Sequence, residues 1–223
     1  MAVTSVRVGD QGERSVAVHE CGDPGGTPLI HFHGTPGSRL EMDFGSELAK
    51  RAGVRVIGFE RPGYGASDPG PISLDGVARD VAMIAEQLGV ERFALSAWSG
   101  GAAFALATAV ALPDRVTRVG ISGGLAPFER MPGARESLTP NDLEALSHLP
   151  ADPARAAELF WSGNSGSLEA MLSVRDDDEM APPVNGRWLA EHLRQAHLTV
   201  YPGEGHLLPL ARCGEMLRAL TAP

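Results

Sequence analysis

Residues 93–103 decide the fold, and they read Phe93-Ala94-Leu95-Ser96-Ala97-Trp98-Ser99-Gly100-Gly101-Ala102-Ala103. The apolar run that opens this stretch predicts a buried strand, and the alanine-rich segment after it predicts a buried helix. Almost no linker separates the two, so the chain must turn sharply at Ser99. Ala97 and the two glycines after Ser99 are small enough to relieve the crowding that such a turn creates.

Ser99 stands at the hinge between this predicted strand and helix. The turn leaves its hydroxyl exposed at the helix N-terminus, where unpaired backbone N–H groups and the helix dipole favour a developing negative charge. The usual nucleophile elbow is Gly-x-Ser-x-Gly, and Ala97 replaces its first glycine by the next smallest residue. A Ser-Gly turn that only starts a helix is the alternative. The stretch is typical of a nucleophile elbow with Ser99 as the nucleophile.

The composition fits one well-buried globular domain. The chain has 223 residues, 43% of them hydrophobic, and a formal net charge of −9. This charge argues against nucleic acid and anionic membrane surfaces as partners. No window has the apolar length of a membrane span, residues 1–12 have no signal-peptide core, and Cys21 and Cys213 are expected to be reduced. We therefore expect a cytoplasmic protein.

Short apolar strands alternate with helical segments over the first half of the chain. Strands are predicted at residues 4–8, 14–20, 29–33, 54–59, 93–98 and 116–121, and helices at 39–50, 74–88 and 100–112. The first two strands flank a polar Gly-Asp turn and predict an antiparallel hairpin. The later alternation predicts an α/β fold with a mostly parallel sheet and helices on both faces.

The pattern changes in residues 123–168, where prolines, acidic residues and short amphipathic pieces replace the strand–helix alternation. We interpret this segment as a reduced lid inserted into a single domain of residues 1–223. Beyond it we predict strands at 171–174 and 198–201, a helix at 184–195, and a closing helix to Leu220. Because the lid is poor in bulky apolar residues, we expect a broad, partly exposed site or a homodimer formed through the lid region.

A serine hydroxyl needs a base to take its proton, and histidine suits that role near neutral pH. Of the seven histidines, only His206 lies in a glycine-bounded loop just after a late predicted strand. His31 fits a satisfied core histidine. His33 is expected to brace the loop that it enters, and it is also a candidate substrate-binding residue.

A histidine base also needs an acid that fixes its tautomer. Asp178 lies in an acidic run between Ser99 and His206 in the sequence, and Asp177 is the alternative. The chain order Ser, Asp, His is the one used by α/β-hydrolases.

Five motifs together carry a resemblance to a known family, and they are residues 33–38, 61–67, 97–101, 112–116 and 202–206. Through them the chain resembles the small, cofactor-free, esterase- and peptidase-like serine hydrolases of the α/β-hydrolase fold. The resemblance implies an α/β-hydrolase sheet and neither cofactor nor metal. Members of this family commonly carry Gly-x-x-Asp after the strand predicted here at 171–174, whereas Arg175 stands at the place of that glycine; counting forward from Arg175 still selects Asp178 as the acid.

The resemblance also implies which residues form the site. Ser99 is the implied nucleophile and His206 the implied base, and the backbone N–H groups of Thr35 and Gly100 are the implied oxyanion hole. Trp98, beside the nucleophile, is expected either to line the acyl pocket or to pack under the lid.

The activity implied by the resemblance is hydrolysis of a small-molecule ester, lactone, thioester or amide through an acyl-enzyme. An acyl transferase or cyclase would use the same triad, so it remains an alternative. A non-catalytic ligand-binding protein on the same fold is the second alternative.

Overall fold

The computed structural model describes residues 4–9, 11–127, 129–136, 138–164 and 181–222. The chain divides into two compact units. The first unit comprises Met1–Gly124 together with Pro209–Pro223, and the second comprises Leu125–Leu208. The expectation of one domain with a lid at residues 123–168 stays a prediction.

The first unit contains a six-stranded sheet whose strand order is β1-β2-β4-β3-β5-β6. Its strands are β1 Thr4–Val8, β2 Arg14–Gly22, β3 Thr27–Phe32, β4 Val54–Phe59, β5 Phe93–Trp98 and β6 Val116–Ser122. β1 pairs antiparallel with β2, and β2 pairs antiparallel with β4. The pairs β3–β4, β3–β5 and β5–β6 are parallel. The predicted hairpin and the mostly parallel α/β sheet are confirmed.

Helices of the first unit lie on both faces of this sheet. Numbered along the described parts of both units, the α-helices are α1 Ser46–Arg51, α2 Leu74–Gln87, α3 Ala102–Ala111, α4 Pro140–Ser147, α5 Pro153–Asn164, α6 Pro183–His192 and α7 Leu208–Thr221. One apolar core joins Val81 and Ile84 of α2 to Phe32 and Phe93 of the sheet. A second core, on the other face, joins α1 and α7 to the sheet through buried residues that include Ala49, Leu29, Leu217 and Leu220.

Local signals explain why α2 was predictable and the helix after Ser38 was not. Ser73 caps α2 by accepting a hydrogen bond from the Gly76 N–H at 3.1 Å, and Gly89 follows the helix with a φ of 67°. The Ser38 hydroxyl instead accepts from the Leu40 N–H at 3.2 Å, a local bond that competes with helix formation. The expected helix at 39–50 is therefore shorter, and consists of a 3₁₀ turn at Asp43–Gly45 followed by α1.

The second unit contains α4 and α5, which lie in the 123–168 segment where short amphipathic pieces were predicted, and α6, which overlaps the helix predicted at 184–195. Residues 198–201, however, are not a strand, so that prediction was wrong. A strand needs a hydrogen-bonding partner, and these residues join no ladder within the described part of the chain. The other strand predicted in this part of the chain, at 171–174, lies outside the described residues.

None of the helices in the described ranges is long and apolar enough to cross a bilayer.

Candidate active site

The turn at Ser99 has the strained backbone that a nucleophile elbow requires. β5 ends at Trp98, a 3₁₀ turn covers Ser99–Gly101, and α3 begins at Ala102. Ser99 has a φ of 50°, which is unusual for a residue with a side chain. Such a conformation costs on the order of 1–3 kcal/mol and persists only where the surrounding structure imposes it.

The two glycines after Ser99 let the elbow lie directly against the end of β3. A Cβ on Gly101 would stand 2.3 Å from the carbonyl oxygen of Phe32. A Cβ on Gly100 would stand 2.7 Å from Oγ1 of Thr35 and 3.6 Å from its backbone nitrogen. The elbow and Thr35 are therefore neighbours, as the implied oxyanion hole needs.

Arg61 fixes the loop that carries Thr35, residues 33–38, which we call the 33–38 loop. Its guanidinium donates to the carbonyl oxygens of His33 at 2.5 Å and Gly34 at 2.9 Å, and to Oγ1 of Thr35 at 3.0 Å. The side chain is 2% exposed, and it lies over the rings of Tyr64 and Phe104. Burial lowers the pKa of this guanidinium. The planar fork of arginine suits such a multiple contact.

His33 is wholly enclosed and uncharged. Its Nδ1–H donates to the carbonyl oxygen of Gly34 at 2.7 Å, and its Nε2 accepts from the backbone N–H of Arg61 at 3.4 Å. Burial first, and then the positive charge of Arg61, lower the pKa of His33 to about 3. With no exposed surface and both ring nitrogens engaged, the geometry favours bracing the 33–38 loop over contact with substrate.

A carboxylate that is only 10% exposed, Glu41, also holds this loop. Both carboxylate oxygens of Glu41 accept from the Gly34 N–H at 3.0 Å. Nε2 of His31 lies 2.8 Å from Glu41, and Nδ1 of His31 lies 2.8 Å from Oγ of Ser96. Ser96 is fully buried, so this Ser-His-Glu arrangement serves support, in agreement with the interpretation of His31 as a satisfied core histidine.

The predicted site residues fall into three groups. Ser99, Gly100, Thr35, His33 and Trp98 all belong to the first unit, where the first three lie together at the elbow. His206 belongs to the second unit and is 3% exposed. The acid candidates Asp177 and Asp178 lie outside the described residues. The triad stays a prediction, as do both interpretations of Trp98.

Sequence reasoning missed Arg61 and Glu41. The motif at residues 61–67 offered a signal for Arg61, because an arginine at the end of a buried strand needs several acceptors. Glu41 had no such signal, since its segment was predicted to be helical.

Comparison with known proteins supports the fold. An esterase from Exiguobacterium antarcticum has a TM-score of 0.69, with 18% identity over 98% of each chain. A thermophilic esterase from Thermogutta terrifontis has a TM-score of 0.67, with 20% identity over 98% of this chain and 96% of that one. At these identities the likeness is one of fold.

Sequence comparison reaches the same family. The 2-hydroxy-6-oxononadienedioate/2-hydroxy-6-oxononatrienedioate hydrolase of Klebsiella pneumoniae is 32% identical over an alignment of 189 positions, which covers 75% of this chain and 64% of that protein. The chain thus spans less than two thirds of that relative's length. A family profile described as the alpha/beta hydrolase fold matches residues 27–163, which include the 33–38 loop and the elbow. The chain therefore belongs to the α/β-hydrolase fold family.

Proposed function

We propose that this chain is a serine hydrolase that cleaves a small-molecule ester, lactone, thioester or amide through an acyl-enzyme. The observation that carries the proposal is the left-handed backbone of Ser99, φ 50°, at a strand-to-helix turn. A satisfied structural serine has no need of this conformation, whereas a nucleophile gains an exposed Oγ from it. The names of the relatives, two esterases and a hydrolase, are consistent with this class.

In the proposed reaction, Oγ of Ser99 attacks the carbonyl carbon while His206 takes its proton. The carbonyl oxygen becomes an oxyanion, which the N–H groups of Thr35 and Gly100 stabilise. His206 then protonates the leaving group, and the acyl-enzyme forms. A water molecule, deprotonated by His206, releases the acid and regenerates Ser99, while Asp178 keeps the imidazole in the required tautomer.

The support for Thr35 as an oxyanion donor is the rigidity of its loop. Arg61 donates to two carbonyl oxygens and to Oγ1 of Thr35, and Glu41 accepts from the Gly34 N–H. Donors held in place before the reaction need no reorganisation when charge develops, which is the main source of oxyanion stabilisation. The hydrogen bonds around the loop therefore favour a catalytic role.

A fluorophosphonate probe tests this proposal, because it labels only an activated serine. We expect mass spectrometry to find the label on Ser99, and Ser99→Ala to lose both labelling and p-nitrophenyl acetate turnover by about 10³-fold or more. Ser96→Ala is the matched control, since Ser96 also lies beside a histidine but is buried. Label retained by Ser99→Ala, or lost only in Ser96→Ala, would refute the assignment. Product analysis with added alcohol separates hydrolysis from acyl transfer.

A further inference from the structure

Three side chains of metal-binding type meet on the sheet face that carries α1. The ligand atoms of His19, Cys21 and Asp43 all lie within 4.8 Å of one another. Nε2 of His19 is 2.6 Å from Oδ1 of Asp43, and these side chains are 22% and 46% exposed. None of the three belongs to the proposed catalytic residues.

The fold builds this cluster from two elements. His19 and Cys21 are alternate residues of β2, so their side chains point to the same face of the sheet. Opposite His19 in the β2–β4 register stands Gly58, where a Cβ would be 2.2 Å from the carbonyl oxygen of Arg39. The absence of that Cβ lets the segment after Arg39 lie on the sheet, and this places Asp43 over His19.

We propose that His19, Cys21 and Asp43 form a Zn²⁺ site. A thiolate, an imidazole and a carboxylate are the ligands that this borderline-soft ion takes, and three protein ligands leave a fourth position for water. Zn–N and Zn–O bonds of about 2.0–2.1 Å set tetrahedral neighbours about 3.3 Å apart. The His19–Asp43 pair must open slightly and Cys21 must approach, and the half-exposed Asp43 has room for this movement.

The site is accessible and its chemistry is balanced. The side chains of His19 and Asp43 are 22% and 46% exposed, which gives an ion access to the cluster from solvent. On binding, Zn²⁺ displaces the thiol proton of Cys21 to solvent, and the thiolate–zinc bond forms without any change of oxidation state. The ion would then tie the segment carrying Asp43 to β2.

Cobalt reports the proposed site, because a thiolate bound to Co²⁺ gives a charge-transfer band in the near ultraviolet. The full chain, without an affinity tag and reduced by a phosphine, is stripped with chelator and titrated with Co²⁺. We expect one Co²⁺ per chain with that band, and displacement of the band by Zn²⁺. Cys21→Ala should abolish the band, whereas Cys213→Ala, which removes the other thiol, should keep it.

A second measurement remains informative if Cys21→Ala does not fold. Zn²⁺ should raise the Tm of the wild-type chain and leave that of His19→Ala unchanged, because a ligand of the native state stabilises it by mass action. Asp43→Ala should weaken Zn²⁺ binding at least about tenfold, since even loss of an outer-shell partner costs about 10–100-fold. Absence of the band, its survival in Cys21→Ala, or an equal rise in Tm for His19→Ala overturns the proposal.

Discussion

Replacing Arg61 by lysine tests whether the 33–38 loop must be held rigidly. The substitution keeps a positive charge but removes the planar fork that contacts His33, Gly34 and Thr35 together. The ammonium group of a lysine can retain one of these hydrogen bonds. It loses the contacts that the guanidinium makes over the rings of Tyr64 and Phe104. The catalytic residues themselves are untouched.

The magnitude follows from the bonds that are lost. Hydrogen bonds from a charged donor contribute about 1.5–3 kcal/mol each, so the loss of two should lower the free energy of unfolding by about 3 kcal/mol or more. Removal of one oxyanion donor costs about 10²–10³ in kcat. In Arg61→Lys the Thr35 N–H remains but is held less firmly, so we expect kcat to fall by about 10²-fold, with KM changed by less than about threefold.

Steady-state hydrolysis of a p-nitrophenyl ester gives kcat and KM, and urea unfolding gives the stability. Arg79→Lys is the matched control, because Arg79 is exposed on α2 and distant in sequence from the loop. If Arg61→Lys kept kcat within about twofold of the wild type while losing the expected stability, rigid support of the oxyanion hole would be refuted.

Two further substitutions address the same loop. Gly100→Ala should lower kcat by about 10²-fold, because its Cβ would meet Oγ1 of Thr35 at 2.7 Å. The control is Gly214→Ala, whose Cβ meets nothing nearer than 3.6 Å. Equal kcat values for Gly100→Ala and Gly214→Ala would contradict this reasoning. The pKa of His33 is about 3 in the folded chain, below the ordinary value of 6.5. Between these two pH values the imidazole is protonated in the unfolded chain and neutral in the folded chain. The free energy of unfolding of the wild-type chain should therefore fall as pH drops from 6.5 toward 3, and that of His33→Gln should fall less steeply. The control variant is His197→Gln, at an exposed histidine. If the free energy of unfolding depended on pH equally in His33→Gln and in His197→Gln, that would be inconsistent with a buried neutral imidazole at position 33.

The strand and helix elements that carry their own local signals could be predicted from the sequence. The hairpin β1–β2, the amphipathic α2 with its serine cap, and the turn at Ser99 are each specified by neighbouring residues. The strained φ of Ser99 follows from the same crowding that the small flanking residues indicated. In these three cases the residues near each element were sufficient to predict it from the sequence.

Elements that depend on distant partners could not be predicted. Residues 198–201 have the composition of a strand, but composition alone does not show whether another strand lies beside them to form hydrogen bonds. Arg61 and Glu41 acquire their roles only when the fold brings them into hydrogen-bonding contact with the 33–38 loop. The triad acid, the homodimer and the exposed site under a reduced lid remain predictions from the sequence.

The first unit is discontinuous in the chain, since α7 joins it only after Leu125–Leu208 has been made. During synthesis on the ribosome, the sheet face formed by Leu29, Val54 and Ala94 therefore waits for Leu217 and Leu220. At about 5–20 residues per second this delay is on the order of ten seconds. Over that interval the nascent chain presents an apolar surface to solvent and to other nascent chains, so closure of this core is a late, vectorial step in its biogenesis.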